Sequence, residues 1–521
     1  MIINPAKSTR SSPWFKYWTP AVVVLLLSLL LESITAGTPL AKIHGSTAQP
    51  VKYIILMIGD GMGANQMLAA NLYTAETPQY QEWSGYWMST YEYGGGYDPQ
   101  QAWTNFNYVK NNPTDSASAA TALYTGVKTT NGRISVTVNG GERLYTITEL
   151  ARQAGWSVGA VSSVFISHAT PGAWIAHNSS RNNGFAIADE GLWGNPNTTG
   201  TPGTNPAYGG GKGPTLPPVD VLIGAGHPRW AGSTFVNKTQ RDKLAAENGA
   251  PGAFTFVERV AGSPDGGTRL LNAASDPSVR RLAGLFGGRD GNLDYRMADG
   301  SGYNPENPTL EQEAEAALQV LSRNPRGFIL MVESGAIDWA ATDGNMAQML
   351  GEMLDFNQAV QTVIDWVNEP NNDATWDNTL VIVTADHETG YLTAGPGQFP
   401  QQPLGEVSPR TLSLEKVISG TSRRASWEDP NHNNLIDPGE TVYWAWNAGA
   451  HTNSLVPLYA RGPGAELLAG YKAGDDPVRG AYMDNNSVHT VMAIEIEALI
   501  SPTPTPEATP VSFIFLPLTE K

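Results

Sequence analysis

The sequence predicts an α/β protein with a central, mostly parallel sheet that is flanked by helices on both faces. Short apolar runs recur along the chain, and VKYIILMIGD at residues 51–60 is the first of them. Helical patterns separate several of these runs from one another. Strands that alternate with helices in this way typically form parallel sheets. No fixed-period repeat accompanies them, so the pattern indicates one sheet and not a repeat array.

The elements can be placed in order along the chain. The predicted strands are residues 51–60, 157–163, 328–333 and 379–386. The predicted helices are residues 147–154, a stretch that begins at Thr309 and stops at Asn324–Pro325, and residues 347–367. Thr309 and Gln312 fit a capping box, which marks the start of the second of these helices.

A further helix is predicted in the stretch NPTDSASAATALYTGVKTTNG at residues 111–132, where Asp115 and Ser116 precede a run of small residues. Ser116 would lie near the helix N-terminus, where free N–H groups and the dipole favour an anion. A serine there is well placed to attack an anionic substrate. The alternative is that Asp115 or Ser116 only caps the helix.

Composition excludes several classes of protein. Only 16% of the residues are charged, and the chain has 55 Gly and 37 Pro, as expected for a loop-rich globular protein. The net charge of −17 argues against nucleic acid as a specific partner. Because the chain has no cysteine, disulfides, thiolate metal sites and cysteine nucleophiles are excluded.

The two ends differ from the rest of the chain. Residues 1–36 have a basic start, an apolar stretch at 21–31 and a small residue, Ala36, as in a cleaved signal peptide, with Ala41 as a second cleavage point. The alternative is an uncleaved anchor, if residues 14–18 extend the apolar stretch. We therefore expect a secreted or cell-surface protein with no spanning segment in the mature chain. Residues 45–500 form the predicted catalytic domain, with insertions near 191–218 and 395–447. Residues 501–521 are a Pro/Thr-rich linker and a short apolar tail.

Acidic residues follow the predicted strands. Asp60, Glu333 and Asp386 each stand at the carboxyl end of a strand, and His387 follows Asp386. In a parallel sheet these ends share one edge, where α/β folds bind ligands. Carboxylates crowded there repel one another unless cations neutralise them. The pattern predicts a metal site.

These motifs resemble the alkaline phosphatases over about residues 51–500. The matching segments are IGDGMG (58–63), TDSASAATALYTGVKTTNG (114–132), SHATPGAWIAHNSSR (167–181), VESGAIDWA (332–340), TADHETG (384–390) and AHTNSLVPLYARG (450–462). The resemblance implies a metal-dependent hydrolase that releases inorganic phosphate from phosphate monoesters. It implies that Ser116 is the nucleophile and forms a phosphoserine intermediate, and that Arg181 holds the phosphate oxygens.

The resemblance also implies the metal ligands. One zinc ion would be held by Asp60, Ser116, Asp386 and His387, and a second by Asp338 and His451. A magnesium ion would be held by Asp60, Thr170 and Glu333. His168 and Trp339 lie beside these ligands in the motifs and are expected to be substrate-pocket residues. A homodimer is considered as the assembly.

One ligand of the family pattern is missing. The family has a histidine four residues after the aspartate that matches Asp338, and Thr342 stands there in this chain. Water replaces the histidine, or Asp343 supplies an oxygen, or the site has lost its zinc. An active enzyme is favoured because the other catalytic positions are intact, and the identity of this metal stays open.

A second metal signal lies in the later insertion. The segment DPNHNNLIDPGE at residues 429–440 has the spacing of a twelve-residue calcium loop. Its oxygen ligands would be the side chains of Asp429, Asn431, Asn433, Asp437 and Glu440 and the backbone carbonyl of Leu435. Asn434 replaces the usual glycine and tolerates the same left-handed conformation. The alternative is a polar turn that binds no ion.

Two other functions compete with the phosphomonoesterase. The first is a phosphodiesterase or a sulfatase of the same superfamily, although the modified residue motif of a sulfatase is absent. The second is a non-catalytic calcium-binding surface protein on a decayed phosphatase scaffold, for which Thr342 is the main support.

Overall fold

The computed structural model describes residues 50–139, 142–194, 217–232, 235–288, 292–293, 296–397 and 403–500. Its strands are β1 (Tyr53–Gly59), β2 (Ser84–Ser89), β3 (Ser157–Phe165), β4 (Val221–Ala225), β5 (Thr255–Glu258), β6 (Leu282–Phe286), β7 (Phe328–Ser334), β8 (Thr379–Thr384), β9 (Glu388–Thr389), β10 (Leu392–Thr393), β11 (Glu415–Val417), β12 (Arg424–Trp427), β13 (Val442–Trp446), β14 (His451–Thr452), β15 (Val456–Arg461), β16 (Lys472–Asp476) and β17 (Gly480–Asp484).

The helices confirm the predicted alternation with strands. They are α1 (Ala64–Thr74), α2 (Pro99–Ala102), α3 (Phe106–Lys110), α4 (Ser116–Thr125), α5 (Ile147–Gln153), α6 (Ala169–Ile175), α7 (Gly184–Trp193), α8 (Lys238–Glu247), α9 (Gly266–Ser275), α10 (Leu310–Leu321), α11 (Ala336–Thr342), α12 (Met346–Asn368), α13 (Pro409–Leu412) and α14 (Asn486–Ile500). The capping box of Thr309 and Gln312 is present at the start of α10.

Eleven strands form one sheet, in the order β16-β17-β2-β15-β8-β1-β7-β3-β4-β6-β5. The seven strands from β8 to β5 are all parallel, and β15 pairs antiparallel with β8 and β2. Ile58 of β1 pairs with Glu333 of β7 and with Thr384 of β8. The carboxyl ends of these three strands therefore lie side by side, as predicted.

Both faces of the sheet centre are covered. Every residue of β1, β7 and β8 is buried. Such continuous apolar runs, without polar alternation, are typical of parallel strands that have helices on both faces. The helices α10 and α12 contact each other and pack against β3 and β7, and α5 and α6 also pack against β3. This core holds the strand ends in fixed positions.

The second predicted insertion contains regular secondary structure. Strands β10, β13, β12 and β11 form a small antiparallel sheet in that order. Ile418, Ala425, Trp427 and Ala445 form its own buried cluster. The predicted calcium loop, residues 429–440, connects β12 to β13.

Several predictions concern residues that the structure does not describe. The predicted signal peptide, the tail 501–521 and most of the insertion 191–218 lie outside the described residues. Within the described ranges, none of the helices has the length and apolar character needed to cross a membrane.

Candidate active site

Three carboxylates meet at the carboxyl edge of the sheet. Asp60 directly follows β1, Glu333 lies near the end of β7, and Asp386 comes two residues after β8. All three side chains are fully buried. The backbone N–H of Asp60 donates to the carbonyl of Ser334 at 3.1 Å, so the ladder between β1 and β7 fixes the first carboxylate beside the second.

Ser116 faces this group from the N-terminus of α4. Its hydroxyl donates to Asp60 Oδ2 at 3.3 Å and lies 3.2 Å from His387 Nε2. Asp115 caps the helix, because its carboxylate accepts from the N–H of Ser118 at 2.9 Å. The two roles that the sequence left open are thus divided between neighbours: Asp115 is the cap, and Ser116 faces the carboxylates.

Two histidines lie together beside Asp338. The rings of His387 and His451 stack with centroids 3.5 Å apart, and His451 Nε2 lies 3.3 Å from Asp338 Oδ1. Thr389 donates to Asp338 Oδ1 at 2.5 Å and lies 3.2 Å from His387 Nδ1. Thr389 was not predicted as a site residue, although it stands two residues after His387 in the motif TADHETG.

Ligand atoms from these side chains form three compact groups. Within each group the atoms lie within 4.8 Å of one another. The groups are Asp60, Asp386 and His387; Asp338, His387 and His451; and Asp60, His168 and Glu333. Most of the predicted ligands are therefore brought together, and the third group includes His168, which was predicted only as a substrate-pocket residue. Thr170 is buried in α6.

Burial and mutual repulsion perturb these carboxyl groups. Burial and the charge of Asp386 raise the pKa of Glu333 to about 8, although a hydrogen bond from Ser162 opposes the shift. Burial also raises the pKa of Asp386 to about 6 and that of Asp60 well above its usual value. The ionised forms of these groups therefore need positive charge nearby.

The pair of Asp338 and His451 behaves in the opposite way. Burial disfavours both charged forms, but the hydrogen bond and the attraction between the two groups outweigh it. The pKa of Asp338 falls below its usual range, and that of His451 rises to about 9. A metal at this pair would have to displace a proton from the histidine.

The donor atoms fit divalent cations. Asp60 Oδ1, Asp386 Oδ2 and Glu333 Oε1 are buried and make no hydrogen bond to any residue that the structure describes. Buried carboxylate oxygens without partners are costly unless a cation neutralises them. Mixed Asp/His groups suit zinc, and groups richer in oxygen suit magnesium.

Hydrogen bonds to two neighbouring side chains orient the guanidinium of Arg181. Its Nη1 donates to Asp115 Oδ2 at 2.9 Å, and its Nη2 donates to His168 Nε2 at 3.1 Å. Burial and the Arg181 charge lower the pKa of His168 to about 3, so this ring is neutral and accepts. The ring of Trp339 meets that of His168 edge to face, with centroids 5.9 Å apart.

The helix α11 carries Asp338 near its start and ends at Thr342. Thr342 and Asp343 are both exposed, and Asp343 is in none of the three ligand groups among the described residues. The backbone of Thr342 lies close to Gly449, two residues before His451. Asp343 would have to move to become a ligand.

In the predicted calcium loop, several oxygen side chains turn inward. Asp437 Oδ2 accepts from the amides of Asn431 and Asn433 at 2.8 and 2.9 Å. Asn434 has a φ of 57°, the left-handed conformation predicted for it. The carboxylate of Asp429 accepts backbone N–H groups of the loop and also pairs with Lys416.

Comparison with known proteins agrees with this geometry. A family profile described as "Alkaline phosphatase" matches residues 51–487. The alkaline phosphatase of Escherichia coli K12 is 31% identical over 418 residues, which are 74% of this chain and 82% of that protein. Alkaline phosphatase 4 of Bacillus subtilis is 28% identical over 86% of this chain and 92% of its own length. The solved alkaline phosphatase of the Antarctic bacterium TAB5 superposes with a TM-score of 0.57, at 22% identity, over 86% of this chain and 99% of that one.

Proposed function

Since the chain belongs to the alkaline phosphatase family, whose members hydrolyse phosphate monoesters, we propose that Ser116 is its nucleophile and carries the phosphoryl group in a covalent intermediate. The observation that supports this most directly is the position of the hydroxyl. It lies within 3.3 Å of Asp60 and of His387, at the N-terminus of a ten-residue helix.

The neighbouring groups suit phosphoryl transfer. Ser116 Oγ attacks the phosphorus atom and the ester oxygen leaves, after which water attacks the phosphoserine and frees inorganic phosphate. The guanidinium of Arg181 holds two phosphoryl oxygens, because its planar donors match their spacing. The N–H groups at the start of α4 face the same charge.

Metal ions are the proposed partners of the buried carboxylates. Zinc would be held by Asp60, Asp386 and His387 together with Ser116, and at a second position by Asp338 and His451. Magnesium would be held by Asp60, Thr170 and Glu333, with His168 adjacent. When bound, such ions neutralise the phosphate and favour the deprotonated serine.

Trapping the intermediate tests this function. Denaturing the protein with acid during turnover of radiolabelled phosphate ester should leave one phosphoryl group on the peptide that contains Ser116. The S116A variant should carry no label and should lose turnover by several orders of magnitude. The S118A variant should still carry the label. Full activity in S116A would refute the assignment of Ser116 as the nucleophile, and label on Ser118 would assign that role to Ser118.

Calcium is proposed as a further ligand of the loop at residues 429–440. The five oxygen side chains at the expected spacing support it, as do the left-handed Asn434 and the inward carboxylate of Asp429. The ion would have to displace Lys416 from Asp429. Leu435 would offer its carbonyl, which already accepts from Trp427 Nε1 at 3.0 Å and has a second lone pair.

Export and dimerisation are the remaining proposals. The basic and apolar composition of residues 1–36 supports export with cleavage near Ala36. Sequencing the N-terminus of the protein recovered outside the cell tests the cleavage, and an intact residue 1 there would contradict it. Light scattering of the purified protein distinguishes the homodimer from a monomer.

A further inference from the structure

A cavity of about 410 Å³ opens beside the candidate active site. Three segments line it: the end of α3, the hairpin tip between β11 and β12, and the stretch that leads to β14. Its volume lies within the range of roughly 300–1,000 Å³ that is typical of small-molecule sites. The lining residues are Lys110, Thr421, Ser422, Arg423 and residues 447–451.

The cavity shares a wall with the reacting groups. His451 lines it, and the His451 ring stacks on that of His387 with centroids 3.5 Å apart. His387 Nε2 lies 3.2 Å from the hydroxyl of Ser116. The cavity therefore adjoins the side chains that surround Ser116.

The cavity lining is positively charged. Lys110 and Arg423 line it, and no carboxylate does so among the described residues. Neither cation forms an ion pair with any acidic side chain that the structure describes; Lys110 Nζ instead lies 4.2 Å from the centroid of the Phe106 ring. In a protein of net charge −17, the cavity therefore carries a local positive charge.

The walls of the cavity are fixed in place. Asn447 is buried, and its amide donates to Thr393 Oγ1 at 2.8 Å and to the carbonyl of Tyr391 at 3.1 Å. The hairpin tip is closed by the N–H of Ile418, which donates to the carbonyl of Arg423 at 2.9 Å. Small residues at 448–450 leave the space between the two walls open.

We propose that this cavity is a subsite for a second anionic group, so that the enzyme prefers phosphate monoesters whose leaving group also carries a carboxylate or a phosphate. Lys110 and Arg423 would bind this group. The inference rests on the proposed function, in which Ser116 receives the phosphoryl group. It adds a substrate class that the buried carboxylates and Arg181 do not define.

Paired substrates test the subsite. For each variant, kcat/KM is measured for 4-carboxyphenyl phosphate and for phenyl phosphate, and the ratio of the two is compared between variants. Intrinsic differences in leaving-group reactivity cancel in this comparison. Because exposed ion pairs are weak, K110M and R423M should each lower the ratio by about three- to fivefold, and the double variant by about tenfold.

A matched control removes the effect of net charge. Arg326 is exposed and precedes β7, at the opposite edge of the sheet. R326M should leave the ratio at its wild-type value. The wild-type ratio should also fall as salt is raised, because salt screens the attraction. A ratio that is unchanged in the double variant, or that falls equally in R326M, would overturn the subsite.

Binding separates this inference from the proposed function. Calorimetry gives Kd for benzylphosphonate and for 4-carboxybenzylphosphonate, which cannot be hydrolysed. If no ester is turned over but the carboxylated phosphonate binds more tightly and loses this preference in the double variant, the subsite stands and the proposed function fails. If esters are hydrolysed and neither measurement shows a preference, the subsite fails alone.

Discussion

Replacing Asp115 with asparagine should weaken the binding of phosphate without moving the nucleophile. The carboxylate has two functions in the structure. One oxygen caps α4 through the N–H of Ser118, and the other accepts from Arg181 Nη1 and from the N–H of Gly132, both at 2.9 Å. An amide can keep its oxygen for the cap, but its NH2 group then replaces the oxygen that accepts from Arg181 and Gly132 and cannot accept from either.

The expected magnitude follows from this contact. The side chains of Asp115 and Arg181 are 19% and 23% exposed, so the pair is mostly shielded from water. A charge-assisted hydrogen bond contributes about 1.5–3 kcal/mol, and the bond from Arg181 is lost, so the change costs at least about 1.5 kcal/mol of preorganisation. That corresponds to a rise of at least about tenfold in the inhibition constant of phosphate. Removing the negative charge of Asp115 would by itself strengthen phosphate binding, but this effect is small because Arg181 already neutralises the carboxylate.

The assay is competitive inhibition by inorganic phosphate of p-nitrophenyl phosphate hydrolysis, at fixed zinc and magnesium. D98N is the matched control, because Asp98 caps α2 through the N–H groups of Gln100 and Gln101 and is not in contact with Arg181 within the described structure. Its inhibition constant should equal that of the wild type. An unchanged or lower constant in D115N would show that Asp115 does not preorganise Arg181.

Three further predictions follow from other sites. Because Thr342 stands where the proposed second zinc site lacks a nitrogen ligand, T342H should bind zinc at least about tenfold more tightly and be more active at limiting zinc. If D343A instead loses zinc, Asp343 already supplies the ligand. Calcium at about 100 times its Kd should stabilise the fold by about 2.7 kcal/mol and raise the thermal midpoint, and a double change of Asp429 and Glu440 to alanine should abolish the shift, whereas a surviving shift would place the ion elsewhere. Burial disfavours the charged form of Glu258, but hydrogen bonds from a histidine and an arginine lower the pKa of this carboxyl group to about 2. Its unfolded value is about 4.3. The carboxylate therefore stabilises the fold above about pH 4, and this contribution is lost as the pH falls to 2. Thermal midpoints of E258Q and wild type should therefore differ near neutral pH and converge near pH 2, and a constant difference would contradict the assigned shift.

The sequence predicted the sheet and its acidic edge for a physical reason. Continuous apolar runs mark parallel strands buried on both faces, and their carboxyl ends must share an edge. Asp60, Glu333 and Asp386 could therefore be placed together before any contact was known. The bounds differed by a few residues: β8 ends at Thr384, and α10 ends at Leu321.

Other contacts depend on folding that no local pattern reveals. Thr389 reaches Asp338 only because β9 lies against α11, and Asp115 meets Arg181 across 66 positions of the chain. The small sheet in the later insertion has strands of two to five residues, too short for alternation to be recognised. Arg423 and Lys110 converge for the same tertiary reason.

The short ladder between β9 and β14 has a consequence for how this protein can change. It pairs His451 with Thr389 and Thr452 with Glu388, and the N–H of Gly390 donates to the carbonyl of Ala450. Residues 390–450 therefore form one long connection whose two ends are held together beside the histidines. Closing a loop twice as long costs only about 0.6 kcal/mol more. Exposed connections within this segment, such as residues 421–422, can therefore be lengthened or exchanged at little thermodynamic cost, whereas Trp444 and Trp446 belong to the main core and have to be kept. New substrate preferences could be introduced at these connections without changing the catalytic edge.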